Sequence, residues 1–212
     1  MCAEKKLLLI GGGGHCRSIL DSVLSINHYQ QIGIIDYNQL ASAMEIPVIG
    51  TDDDLNRLKN EGWTDAFISV GSIGSTASRR RLYQKVKEIG FRIPSIIDPT
   101  AIIARKVEIG EGSFIGKRVV VNSGSHVGIC AILNTGAIIE HDSKIGDFAH
   151  ISPGATLCGQ TLIGNDSHVG AGSVVRQGIS IGQTSLIGVG SVVVKDVPDG
   201  VKAFGNPCRV VV

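Results

Sequence analysis

From residue 103 onward, every sixth residue is aliphatic. The series runs Ile103, Ile109, Ile115, Val121, Val127, Leu133, Ile139, Ile145, Ile151, Leu157, Ile163, Val169, Val175, Ile181, Ile187 and Val193, sixteen positions with no slip of phase. A helix returns a side chain to one face every 3.6 residues and a flat strand every two, so neither produces a period of six. A unit of one short strand followed by one turn does. Two residues before the aliphatic position, small residues dominate: Ala101, Ser113, Ser125, Ala131, Ala137, Ser143, Ala149 and Ala155. Directly after it Gly is frequent, as at Gly110, Gly116, Gly128, Gly146, Gly164, Gly170, Gly182 and Gly188. Three units close one triangular coil of a parallel β-helix. The aliphatic side chain points into the prism, the small one lets the corner close, and the glycine is expected to supply the positive φ of the turn. Sixteen units make just over five coils.

Residues 1–97 follow another rhythm. "KKLLLIG" (5–11), "QIGIID" (31–36) and "DAFISVG" (65–71) read as buried strands. "HCRSILDSVLSI" (15–26), "DDDLNRLKNEG" (52–62) and "TASRRRLYQKVKEIG" (76–90) have helical spacing, and "FRIPSII" (91–97) reads as extended. The Asp residues at 52–54 suit a helix N-terminus and Gly90 suits a helix end. Strands and helices alternating at these lengths imply parallel βαβ units. The expected fold class is therefore α/β + β: a Rossmann-like βαβ domain over 1–97, then a parallel β-helix over 98–212, whose left hand is what the resemblance of its six-residue repeat to the hexapeptide-repeat, left-handed parallel β-helix acyltransferases implies.

The formal net charge of +1, with 18% charged residues, gives no basic surplus for nucleic acid. No apolar run approaches the ~20 residues of a membrane-spanning helix, and none resembles a signal peptide. Five scattered cysteines (Cys2, Cys16, Cys130, Cys158, Cys208) form no CxxC, which argues against a zinc site or a disulfide framework and for a reducing, cytoplasmic setting. The histidines of the repeat region, at 126, 141, 150 and 168, include no His-x4-His pair of the kind that binds zinc in some β-helix enzymes. No metal is expected.

One stretch breaks the glycine habit. After Ile139 come Glu140, His141 and Asp142. Side chains at that corner leave the prism. An imidazole, with an ordinary pKa of about 6.5, can take a proton near neutral pH, and a neighbouring carboxylate can fix its tautomer and stabilise the imidazolium. The spacing leaves open whether Glu140 or Asp142 is that carboxylate. His168 lies eighteen residues, one coil, beyond His150, so the two should stack ~4.8 Å apart.

An α/β head joined directly to a hexapeptide β-helix resembles the PglD/NeuD-type bacterial sugar acetyltransferases. Three stretches carry the resemblance: "IGGGGH" (10–15), "NTGAIIEHDSKIGDFAHISPGA" (134–155) and "GNPCRVV" (205–211). The resemblance implies acetyl-CoA as donor and, as acceptor, the amine of a UDP-linked 4-amino-sugar. The alternative is a hydroxyl on a sialic-acid-type sugar, and a non-catalytic nucleotide sensor is the reading outside enzymology. It also implies a homotrimer, with grooves between subunits. By the same resemblance His141 is the general base, assisted by Asp142. His150, Gly170, Ala171, Gly188 and Val189 line the acetyl-CoA groove, and the basic residues Lys195, Lys202 and Arg209 are candidates for its phosphates. In the head, Gly13, Gly14 and His15 match the nucleotide-sugar loop. Asp36, at the end of the second strand, can accept from base or ribose. Gly71 and Ser72 face the same crevice.

Overall fold

The computed structural model describes residues 4–38 and 42–211, so Cys2 lies outside the described residues. The chain forms two compact units. One holds the residues up to Gly71 together with Ala77–Ile96; the other holds Ser72–Thr76 together with the chain from Ile97 onward. The division differs from a single cut near residue 97, because residues 72–76 pack with the repeat region. There the Ser72 carbonyl accepts from His150 Nδ1 at 2.9 Å, and the Thr76 hydroxyl donates to Asp166.

The first unit comprises β1 (Lys6–Ile10), α1 (Gly14–Ile26), β2 (Gln31–Ile35), β3 (Ser42–Ala43), β4 (Ile46–Gly50), α2 (Leu55–Asn60), β5 (Asp65–Ile68) and α3 (Ala77–Ile89). The sheet order is β3-β4-β2-β1-β5, with β1 parallel to both β2 and β5. Leu7, Leu8, Leu9 and Ile10 are all buried, as a central parallel strand covered on both faces requires. Helix α1 turns Cys16, Ile19, Leu20 and Val23 inward and ends at Asn27 in the left-handed region. Two expectations change. Residues 52–54 form a 3-10 turn capped by Thr51 ahead of a shorter α2, because the Thr51 and Asp54 side chains close a capping box. The hairpin of β3 and β4 carries Pro47 and so little alternation that no strand was expected there.

In the second unit all sixteen aliphatic positions end two-residue strands, from Ile102–Ile103 to Val192–Val193. Each strand pairs in parallel with the one eighteen residues on, as in Val121 with Ile139 and Ile139 with Leu157. The strands stack into three faces of a left-handed parallel β-helix. The first face runs from 102–103 through 138–139 to 192–193, the second from 108–109 through 144–145 to 180–181, and the third from 114–115 through 150–151 to 186–187. Fourteen of the sixteen aliphatic side chains, from Ile115 to Val193, form one buried stack; Ile103 and Ile109, in the open first coil, are partly buried. The hairpin of Lys202–Phe204 and Arg209–Val211 extends the third face beyond the repeats.

The corner conformation corrects the expectation for glycine. Positive φ falls three residues after the aliphatic position, where Lys106, Arg118, Asp142, Phe148, Gln160 and Thr184 adopt it alongside glycines. The glycines directly after the aliphatic residue serve close approach instead. A Cβ on Gly164 would lie 2.5 Å from the backbone N of Gln183 and 2.6 Å from the carbonyl carbon of Gly182, one coil away. The small buried residues also do more than close corners. Ser113 Oγ donates to the Gly128 carbonyl at 2.7 Å and accepts from Ala131 N at 3.0 Å, linking one coil to the next. Ser173 and Ser167 repeat the pattern higher in the stack.

Candidate active site

The Glu-His-Asp break sits at the corner between the first and second faces. On the first face the slot after the aliphatic residue is never Gly: it holds Ala104, Asn122, Glu140, Cys158, Arg176 and Val194. Glu140 is therefore no exception within its own column. Asp142 is the carboxylate that meets the imidazole, with Oδ2 2.9 Å from His141 Nδ1. Neighbouring side chains on an extended strand point apart; here Asp142 has φ 58°, and that left-handed turn swings its carboxylate back over His141. A carboxylate on Nδ1 selects the tautomer protonated there and leaves the Nε2 lone pair available. His141 and Asp142 stay half-exposed, their side chains 51% and 60% accessible.

A second site lies on the third face and the corner between the third and first faces. It is a cleft of about 440 Å³ lined by His150, Gly170, Ala171, Gly188 and Val189, the five residues expected to bind the donor. Asn134, Ser152, Pro153, His168, Phe204 and Ile73 complete much of its wall. Asn134 and Ser152 stand one coil apart in the same corner column as Gly170 and Gly188, so the eighteen-residue spacing was enough to find them. Phe204 comes from the terminal hairpin and Ile73 from the 72–76 segment, and no repeat announces either. Lys195, Lys202 and Arg209 are not among the lining residues.

His150 and His168 stack edge to face with ring centroids 4.7 Å apart. The Ser72 carbonyl fixes the proton of His150 on Nδ1, and the Asn134 amide stands 3.4 Å from Nε2. His168 Nε2 is 2.9 Å from the Ser152 hydroxyl. Burial pushes the His168 imidazole below the ordinary histidine range, opposed by the Ser72 carbonyl. Burial thus holds His168 toward its neutral form, and hydrogen bonds orient both rings, which suits shaping a wall.

In the first unit the loop after β1 carries the remaining candidates. Gly13 is the N-cap of α1, with no side-chain cap, and Gly14 is the first helical residue. Added Cβ atoms on either would meet nothing within 4 Å, so the space beside the helix N-terminus is open to a ligand. Asp36 Oδ2 accepts from Gly12 N at 2.6 Å, so this carboxylate already holds the glycine loop. His15 lies beside Gly71, whose added Cβ would lie 3.4 Å from the His15 Cβ and 3.6–3.8 Å from its ring. Burial, then the nearby Arg79 charge, lowers the His15 pKa to about 4. Ser72, expected in this crevice, belongs to the other unit. Among the described residues no group of three His, Cys, Asp or Glu side chains is placed to hold a metal ion, and no helix is long and apolar enough to cross a membrane.

A six-residue, three-faced β-helix with an exposed histidine–carboxylate pair and an apolar cleft defines the hexapeptide-repeat acyltransferases. Residues 6–86 match the PglD N-terminal domain. The acetyltransferase domain of PglB from Neisseria gonorrhoeae FA1090, solved with acetyl coenzyme A, is 36% identical over 99% of this chain and 100% of its own, with TM-score 0.92. PerB from Caulobacter crescentus, solved with CoA and GDP-perosamine, is 33% identical over 98% of both chains, also with TM-score 0.92. WeeI from Acinetobacter baumannii AYE, 24% identical over 98% of this chain and 100% of its own, shares the fold with TM-score 0.85. The chain belongs to the PglD/NeuD-type family of sugar acetyltransferases, enzymes whose acyl donor is acetyl-CoA.

Proposed function

We propose that this protein transfers the acetyl group of acetyl-CoA to the amine of a nucleotide-linked 4-amino-sugar, with His141 as general base. The observation that carries the reading is the His141–Asp142 hydrogen bond, which engages Nδ1 and leaves the Nε2 lone pair available on a half-exposed ring. As the amine attacks the thioester carbonyl, the N–C bond forms and Nε2 takes the amine proton. The C–S bond then breaks, and the imidazolium, steadied by Asp142, returns that proton to the departing thiolate. The third-face cleft suits the pantetheine arm: Ala171 and the glycines leave room, while Val189, Pro153 and Phe204 give apolar cover. The open N-terminus of α1 at Gly13 and Gly14 suits a diphosphate, beside His15, Asp36 and Gly71. Amine over hydroxyl as acceptor is favoured by the PerB relative, a GDP-perosamine N-acetyltransferase.

The same geometry favours a homotrimer. The dyad corner and the cleft corner lie on opposite sides of the first face. The outward residues of that face are Ile102, Val120, Ile138, Thr156, Val174 and Val192, all β-branched, with Ile102 65% and Val174 39% exposed. An apolar strip of this kind favours burial against another copy. Three first faces meeting around a threefold axis bring the dyad corner of one copy beside the cleft corner of the next. Free thiols at Cys16, Cys130, Cys158 and Cys208 suit the reducing cytoplasm.

The test is thiol release from acetyl-CoA with matched UDP- and GDP-linked 4-amino-sugars. The family resemblance favours uridine, whereas PerB was solved with the guanosine form. Wild type should turn over the uridine form faster, and His141→Ala should lose about 10²–10⁴-fold in kcat while acetyl-CoA still raises its melting temperature. Unchanged turnover in His141→Ala removes it as the base.

A further inference from the structure

Gly159 stands one coil beyond His141, in the column Arg105, Ser123, His141, Gly159, Gln177, Lys195. Every other position of that column carries a side chain, most of them long. Nothing in the backbone at 159 calls for glycine, since its φ is not positive. Nor does close approach of the coils call for it, unlike at Gly164. The three nearest atoms to an added Cβ all belong to the His141 ring: Nε2 at 2.5 Å, Cε1 at 2.7 Å and Cδ2 at 3.0 Å. The ladder between these coils is intact, with Gln160 N donating to the His141 carbonyl at 2.8 Å and Gly178 N to the Gly159 carbonyl at 3.0 Å. The one group that uses the missing side chain is therefore the nitrogen opposite Asp142. The carboxylate sits in a matching gap: an added Cβ on Gly124 would lie against Asp142 Oδ1.

We propose that Gly159 is a positioning residue for acetyl transfer: its absent side chain is the notch that keeps His141 Nε2 open to the acceptor while Nδ1 stays on Asp142. A methyl group there either covers Nε2 or tilts the ring off the carboxylate, because Nε2 and Cε1 are the atoms it meets. The proposal rests on His141 being the base, and its test separates the two ideas.

Gly159→Ala is made in the wild-type and His141→Ala backgrounds. The readouts are steady-state kinetics, melting temperature, and the rate at which diethyl pyrocarbonate modifies His141, followed by peptide mass. In the wild-type background kcat should fall about 10–10²-fold with both KM values within about twofold, as expected for a displaced base. Modification of His141 should slow about tenfold. In the His141→Ala background Gly159→Ala should change the residual rate by less than about twofold, because its effect runs through the ring. Any loss of melting temperature should also vanish there. Unchanged modification of His141 overturns the notch, whatever the activity. Equal losses in both backgrounds overturn it too, showing that Gly159 acts apart from the imidazole. If His141→Ala alone retains full turnover, the functional reading fails while the modification rate still decides whether the notch exists.

Discussion

Replacing Asp142 by Asn isolates the charge behind the dyad. Residue 142 has φ 58°, a conformation Asn tolerates as readily as Asp, so the corner should keep its shape. The His141 and Asp142 side chains are 51% and 60% exposed, and an ion pair so wetted contributes only ~0–1 kcal/mol to folding. The melting temperature should therefore move by no more than ~2–4 °C. Catalysis is more sensitive. At 2.9 Å the carboxylate attracts an imidazolium by ~1.4 kcal/mol in a water-like medium and ~6 kcal/mol at the effective dielectric of a protein surface. A half-exposed site falls between, which corresponds to about 10–10⁴ in kcat. The Asn amide can also donate to Nδ1, moving the ring proton to Nε2 and removing the lone pair the reaction needs. The assay is initial-rate thiol release under saturating acetyl-CoA and acceptor, beside a thermal melt. A kcat within about twofold of wild type would refute the assistance assigned to Asp142. A large loss accompanied by a fall of more than ~10 °C in melting temperature would mean the corner itself had failed.

The coil-to-coil contacts predict opposite fates for two glycines: Gly164→Ala, against backbone atoms at 2.5–2.6 Å, should cost about 3 kcal/mol, while Gly154→Ala, with positive φ but nothing within 4 Å, should cost about 1 kcal/mol, both read by denaturant melts. Ser113→Ala removes the donor to the Gly128 carbonyl and the acceptor for Ala131 N in a dry interior, and should cost about 1–3 kcal/mol in the same assay. With His15 held at about 4 by burial and Arg79, the folded chain stays unprotonated where the unfolded one binds a proton. Its contribution is complete above about pH 6.5 and is lost as pH falls toward 4, by up to about 1.4 kcal/mol per unit; His15→Gln should flatten that slope in melts between about pH 7 and pH 5.

The β-helix was legible because its core position recurs with one residue class: Ile115 to Val193 declare both the coil length and the side that faces inward. The same periodicity misassigned the glycines. Sequence shows that Gly164 recurs but cannot show whether φ or a backbone one coil away requires it. His141 stood out as a break, yet the choice between Glu140 and Asp142 depended on a backbone reversal at 142 that Asp shares with Lys106 and Gln160. The third-face cleft was half visible: Gly170, Ala171, Gly188 and Val189 follow from the eighteen-residue spacing. Ile73 and Phe204 did not, because each arrives from outside the repeat. In the head, β1 and α1 were plain from their apolar pattern, whereas Asp36 turned out to close the glycine loop, a contact between residues twenty-four apart that no local pattern encodes.

The central claim, that one copy's dyad serves the next copy's cleft, is tested most directly by complementation. His141→Ala keeps a sound cleft and Ala171→Trp, filling the cleft at its corner, keeps a sound dyad. Each alone should form inactive trimers. Assembled together at equal amounts, about a quarter of the shared sites pair a working histidine with a working cleft, so activity should return to about a quarter of wild type. A mixed assembly as inactive as its parents would contradict the account.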